Sequence, residues 1–373
     1  MVSFDARNPV SPEFRRAVGD RIDALLTSQE PVLAGIGADV TPLLTLAREF
    51  TGGGKRLRPA FCYWGQVAIT GQSEDPTPLL AAAASLDLLH VSALVHDDVM
   101  DASDTRRGVP AVHRQFETQH TQGGWRGDPT GFGRAGAILL GDLLLIWSAE
   151  MLDTSGLSPE ALRRAAPLVA AVRTEVTCGQ FLDVLAQATP LGSADQPLSS
   201  AAALALLEEV ERVVEYKTAR YTVVRPTQIG AAIGGATPAQ LDDLARFASP
   251  LGRAFQYRDD LLGVFGDSAV TGKPAGDDLR EGKLNVLTAN ALANADRAAA
   301  GELVGLLGRS DLTPADVERA RQIIVDTGAL TAAEAAIARH HEQSLAALKQ
   351  ADITEEGRIA LTRLAELAVS REA

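Results

Sequence analysis

An almost unbroken apolar run, "LLAAAASLDLLHVSALV" from Leu79 to Val95, leads directly into "HDDVMDASDTRRG". Its composition and spacing read as one buried helix. That helix ends in four aspartates, Asp97, Asp98, Asp101 and Asp104, set just ahead of Arg106 and Arg107. Charge clusters are commonly solvated faces of surface elements, but a buried element seldom ends in bare charge without a ligand. Residues four and seven apart share a helical face, so Asp97 and Asp101 project together, with His90 two turns earlier on nearly the same line.

The rest of the chain supports an all-α reading. Apolar residues recur at helical spacing in stretches such as "LALLEEVERVVEYKTARYTVV", and alternation suited to strands is scarce. Nothing among the 373 residues reads as a linker between separate cores, which predicts a single domain over 1–373, with helices continuing from 291 to the C-terminus. Helices are expected over residues 1 to about 50, then over Ala60–Ile69, Pro78–Asp101, Pro159–Ala188, Ala201–Val224 and 238–265. Pro226 should stop or kink the fifth of these. The polar, glycine-bearing "ETQHTQGGWRGDPTGFGRAG" is the leading loop candidate in the first half, and "GDSAVTGKPAGDD" is a second, glycine-rich loop.

Charge and composition exclude several partners. A net charge of −13 argues against nucleic acid or an anionic membrane as the main partner. Asp87, His90 and Asp142 interrupt the longest apolar runs, so no integral membrane segment is expected. The first residues lack the apolar core of a signal peptide, and the expected compartment is the cytoplasm. Cys62 and Cys178 have neither disulfide nor zinc spacing.

Two carboxylates one helical turn apart suit a hard divalent cation, Mg²⁺ above all, which favours one or two carboxylates plus phosphate oxygens and water. A ferritin-like centre would need paired Glu-x-x-His motifs, and only "ETQH", Glu117 to His120, is present. Neither "GGGKR" nor "GDSAVTGKP" satisfies the P-loop pattern. The bland reading of "TGGGKRLRP" is a flexible turn with solvated charge. Lys55, Arg56 and Arg58 beside consecutive glycines could equally close on a diphosphate.

Taken in order, "GGGKRLRP", "HVSALVHDDVMDASDTRRG", "GQFLD", "EYKTARY", "FQYRDDLLGVFGD" and "TGKPAGDDLREGKLN" resemble the trans-isoprenyl diphosphate synthases, or polyprenyl synthetases, over roughly Gly52 to Asn285. The segment with "GWRGDPTG" looks most like actinobacterial geranylgeranyl members. The resemblance implies a helical bundle around a central cavity, with a motif-bearing core over about 50–290. Its two aspartate motifs, Asp97, Asp98 and Asp101 in the first and Asp259 and Asp260 in the second, would hold roughly two or three Mg²⁺ ions. It assigns Lys55, Arg58, His90 and Arg107 to the diphosphate of isopentenyl diphosphate. Arg106, Lys217, Gln256, Lys273 and Lys283 fall to the allylic diphosphate, with Thr218 near the reacting carbon. A homodimer is also implied. Gly263 stands where the family often has a third aspartate in the second motif, and Asp267 is a possible substitute. Gln180 and Asp183 of "GQFLD" are a weaker signal, half explained by a helix-packing glycine.

The implied reaction is head-to-tail condensation, in which diphosphate leaves an allylic carbon, the double bond of isopentenyl diphosphate attacks that carbon, and a proton is lost to the released diphosphate. A class I terpene cyclase would share the fold, but it would lack "GGGKRLRP" and carry an Asn/Asp, Ser, Glu metal motif in place of "DDLLG". A non-catalytic subunit of a heteromeric synthase would usually lose an aspartate motif, and this chain keeps both. Ser92 and Ala93, both small and one turn before Asp97, predict an open first turn of the product pocket, with Leu88 and Leu89 further along. The expected product is geranylgeranyl diphosphate or somewhat longer.

Overall fold

The computed structural model describes residues 3–266, 276–309 and 311–370, and these are helical apart from one two-residue hairpin and the connections. Contacts gather into two compact units, each made from three stretches of chain: Met1–Val169 with Pro226–Asp242 and Asp352–Leu364, and Ala170–Arg225 with Asp243–Ala351 and Ala365–Ala373.

In the first unit the apolar run forms α4 (Thr77–Met100), packed by α1 (Pro12–Ile36), α3 (Leu57–Thr70) and α6 (Pro129–Asp153). Ser11 caps α1 by accepting from Phe14 N at 3.2 Å. Phe4, Phe14 and Tyr63 meet edge to face beside it. By length and composition both α4 and α6 could cross a bilayer, which departs from the sequence reading. The interruption at Asp87 does not solvate α4; its carboxylate is buried against the Arg56 guanidinium.

The polar segment expected to be a loop is largely helix. Glu117 to Gln122 complete α5 (Val112–Gln122), and Pro129 already starts α6, leaving only residues 123–128 between them. The glycines there are packing points. An added Cβ at Gly133 would run into the His113 carbonyl, and one at Gly136 would lie 2.7 Å from the Phe116 ring. They let α5 lie close on α6, and Asp128 caps α6 through Gly131 N at 2.8 Å.

In the second unit, α7 (Pro159–Ala188) enters from Ala170 onward, and α8 (Ser200–Val213) is followed without a break by a π-helical segment, Val214–Val224. Its wider winding shows in the ion pair of Arg220 Nε with Glu215 Oε1 at 2.8 Å, five residues apart. Pro226 does not stop the helix. It lies at the start of α9 (Arg225–Ile233), where the π segment reverts to α winding and a missing N–H is tolerated. The unit is completed by most of α10 (Pro238–Phe265), α11 (Asp277–Glu281), α12 (Val286–Asn294) and the helices that follow, around a core that includes Leu261, Leu279, Leu287, Ile323 and Ile337.

Candidate active site

In the first unit the C-terminal end of α4 carries the first aspartate motif, and backbone bonding from Asp101 N to Asp97 O at 2.8 Å closes its last turn. Asp97 and Asp101 present carboxylate oxygens within 4.8 Å of one another. Oxygen-only donors one turn apart fit a hard divalent cation. Asp98 points elsewhere. It is 1% exposed at its side chain and accepts Arg106 Nε at 2.9 Å, with Arg106 Nη2 bonded to the same oxygen. Arg106 also lies 3.8 Å from Asp97. The second arginine-bearing residue of the motif, Arg107, turns back to the glycine turn: its Nη1 donates to Phe50 O at 3.3 Å, and an added Cβ at Gly54 would lie 3.2 Å from Nη2.

Basic groups converge on His90. Burial holds its imidazole well below the usual histidine range, and the charges of Arg58, Arg107, Arg106 and Arg56 push it the same way. A neutral imidazole among guanidinium groups leaves a net positive site, suited to a polyanion. Arg56 serves differently from its neighbours Lys55 and Arg58. It is buried, pairs with Asp87 and donates to Thr51 O at 2.6 Å, so it braces the turn from inside. This pairing also accounts for the aspartate in the middle of the apolar run, which sequence reasoning treated only as an interruption.

Of the proposed chain-length residues, Leu88 and Leu89 are fully packed. Ser92 is buried too, and its hydroxyl donates to Gly141 O on α6 at 2.8 Å. Ala93 is the half-buried member of the set.

The second unit joins the remaining motifs. Lys217 Nζ, on the π segment, donates to Asp183 Oδ2 at 2.7 Å, and an added Cβ at Gly179 would collide with the Lys217 backbone. "GQFLD" and "EYKTARY" therefore pack together, and its glycine is a contact point. Thr218 Oγ1 donates to Gln256 Oε1 at 2.5 Å, and Gln256 Nε2 donates to Asp260 Oδ1 at 2.7 Å. Val286 N, the first amide of α12, donates to Asp260 Oδ2 at 3.2 Å. Burial pushes the Asp260 carboxyl up to about 8, the charges of Asp278 and Asp259 add to this, and the bonds from Gln256 and Val286 oppose it. A divalent cation at the motif would offset those like charges and favour the carboxylate. Lys283 pairs with Glu281 at 2.8 Å. Lys273 and Asp267 lie outside the described residues.

Gly263 has a structural explanation that the sequence did not offer. An added Cβ there would fall inside the Asp278 carboxylate, which Asn285 Nδ2 holds through Oδ2 at 3.2 Å. Asn285 also caps α12 through Leu287 N and Thr288 N. The one available signal was "GDD" in the glycine-rich loop, and nothing in its spacing links it to residue 263.

These features agree with comparisons to known proteins. The sequence profile described as Polyprenyl synthetase matches residues 41–324. The geranylgeranyl diphosphate synthase of Mycobacterium tuberculosis is 34% identical over 300 residues, covering 80% of this chain and 75% of its own length. A short chain isoprenyl diphosphate synthase of Methanothermobacter thermautotrophicus is 31% identical over 341 residues, covering 90% of this chain and 93% of its own. The crystal structure of geranylgeranyl pyrophosphate synthase from Corynebacterium glutamicum, complexed with isoprenyl diphosphate and magnesium, superposes with a TM-score of 0.89 at 41% identity, over 96% of this chain and 99% of that one. With both aspartate motifs, the cationic turn and the helical fold all in place, the chain belongs to the polyprenyl synthetase family and is a trans-isoprenyl diphosphate synthase.

Proposed function

We propose that this enzyme condenses isopentenyl diphosphate head to tail with allylic diphosphates, in the cytoplasm and as a homodimer, and releases geranylgeranyl diphosphate or a somewhat longer product. One observation carries the reading: α4 bears an acidic end for a cation at Asp97 and Asp101 and, two turns earlier, a neutral His90 among arginines. One helix thus addresses a metal-held diphosphate and a metal-free one. Asp97, Asp101 and Asp259 would hold Mg²⁺, which when bound neutralises charge on the departing diphosphate.

The chain's own residues do the rest. Lys55, Arg58, His90 and Arg107 bind the diphosphate of isopentenyl diphosphate and orient its double bond. Arg106, Lys217, Lys273 and Lys283 bind the allylic diphosphate, and Thr218 presents its oxygen towards the electron-poor carbon, with Gln256 on the same side accepting from its hydroxyl. No side-chain nucleophile is needed. The test is incubation with isopentenyl diphosphate, each allylic primer in turn and Mg²⁺, with chromatography of the dephosphorylated products; absence of prenyl products longer than the primer refutes the reading. Pyrophosphate release by this protein alone separates it from a non-catalytic subunit.

Replacing Lys55, Arg58 or His90 with alanine should raise KM for isopentenyl diphosphate more than for the allylic primer, since a charge-assisted bond to phosphate contributes roughly 1.5–3 kcal/mol. Steady-state kinetics with each substrate varied will check it, and an equal rise for both would reverse the two assignments.

Product length gives a further expectation. Ser92→Phe and Ala93→Phe should each shorten the product by one or two isoprene units, a helical turn rising ~5.4 Å. Ser92→Phe should also lower Tm, because the bond to Gly141 is lost. An unchanged distribution in both variants would move the pocket floor elsewhere.

The homodimer is supported by an exposed stripe on α6, where Ile138, Leu139, Leu145 and Ile146 recur at a seven-residue spacing. Leu139→Glu/Ile146→Glu should shift the mass measured by light scattering from dimer to monomer.

A further inference from the structure

Asp260 belongs to the motif assigned to metal binding, yet both of its oxygens are already engaged inside the protein. It is 4% exposed, and it accepts Val286 N at Oδ2 and Gln256 Nε2 at Oδ1. In the ionised form that a divalent cation at the motif favours, Asp260 only accepts, so the nitrogen of the Gln256 amide is the atom that faces it. The amide oxygen is thereby turned to Thr218, and the only bond it can form there is one that takes the Thr218 hydroxyl proton. The chain of bonds therefore has one direction, set at its Asp260 end.

We propose that Asp260 is a positioning residue: it fixes the Gln256 amide, and through it the direction of the Thr218 O–H, so that Thr218 offers lone pairs to the allylic carbon instead of a hydrogen. The inference rests on the prenyltransferase reading of Thr218 and adds to it a role for Asp260 distinct from that of Asp259. A carbon becoming electron-poor is stabilised by an oxygen lone pair and opposed by an O–H dipole aimed at it. The polarity of one hydroxyl, set two residues away, then bears on the rate of ionisation and hardly at all on substrate affinity.

Asp260→Asn tests the direction of the chain. The Val286 N–H is a fixed backbone donor, so the asparagine oxygen must take it and the asparagine nitrogen must face Gln256. Gln256 then turns its oxygen to residue 260 and its nitrogen to Thr218, which becomes an acceptor and sends its proton elsewhere. In Asp260→Asn/Gln256→Glu, the introduced carboxylate accepts from residue 260 with one oxygen and from Thr218 with the other, restoring the original direction at unchanged net charge.

The expected result is a kcat lower on the order of tenfold to a hundredfold in Asp260→Asn, with KM for isopentenyl diphosphate unchanged, and recovery to within a few-fold of wild type in the double variant. Mn²⁺ binding, followed by electron paramagnetic resonance, should survive in Asp260→Asn and weaken in Asp259→Asn. Wild-type kcat in Asp260→Asn overturns the proposal, as does loss of Mn²⁺ there equal to that in Asp259→Asn. A double variant that fails to fold, or folds without recovering activity, overturns it also. If Asp260→Asn alone fails to fold, recovery of both fold and activity in the double variant supports it. Thr218→Val separates this inference from the reading beneath it: no loss of kcat there means that Thr218 does not face the reacting carbon, whereas a loss there with none in Asp260→Asn leaves that reading standing and removes only the role of Asp260.

Discussion

Asp97→Ala and Asp101→Ala should each lower kcat by at least 10²–10³-fold, on the order of what removing one transition-state electrostatic contact costs, while the protein stays folded. Both carboxylates are half-buried at the end of α4, outside the packed core. Product chromatography and a thermal melt on the same samples check the two halves of the expectation. Asp98→Ala should behave differently, because it removes the buried partner of Arg106. Breaking such a pair from one side typically costs about 3–5 kcal/mol, so this variant should lose Tm as well as turnover. Turnover within a few-fold of wild type in either of the first two variants would remove them from the metal site.

Asp87→Leu should be the most destabilising single change outside the site. It leaves Arg56 buried with no countercharge, for a loss of about 3–5 kcal/mol in denaturant unfolding. Arg56→Met/Asp87→Leu should recover most of that loss, since a buried pair can be exchanged for apolar side chains of similar volume with little net effect. Equal destabilisation in the single and double variants would mean that the pair holds the glycine turn through its geometry, and that Arg56 bonding to Thr51 O is the part that matters.

The comparison of these two aspartates explains what the sequence could reveal. Helix α4 and its acidic end were legible because an apolar run and a charge block are both local signals. Asp97 and Asp101 followed from the helical repeat alone. Asp98 and Arg106 were read through the family motif as ligand and substrate contact; their bond to each other went unforeseen, because it is the hairpin Thr105–Arg106 with Val109–Pro110 that folds the arginine back onto the aspartate, a tertiary event that spacing does not encode. Residues 117–136 were misread for a related reason. Polar composition and glycines resemble a loop, whereas Gly133 and Gly136 are small because α5 must approach α6 closely. The link between Gly263 and Asp278 was invisible on the same grounds: the two meet only after α10 and α11 have packed.

The π winding of Val214–Val224 makes the length of that stretch a functional quantity in its own right. Each residue of an α-helix turns the chain by about 100°. Deleting one residue from the segment would let it relax to ordinary winding and rotate everything on one side of the cut by about that angle. Lys217 and Thr218 are adjacent, so if the part that carries them turned, Lys217 would swing off Asp183 and Thr218 off Gln256 together. Substitutions that keep the residue count can be absorbed locally, but an excision cannot, because Gly179 and Gly252 press on the segment's backbone at Lys217 and Ala219 and leave no slack for it to unwind. The stretch should therefore tolerate changes of letter far better than changes of number.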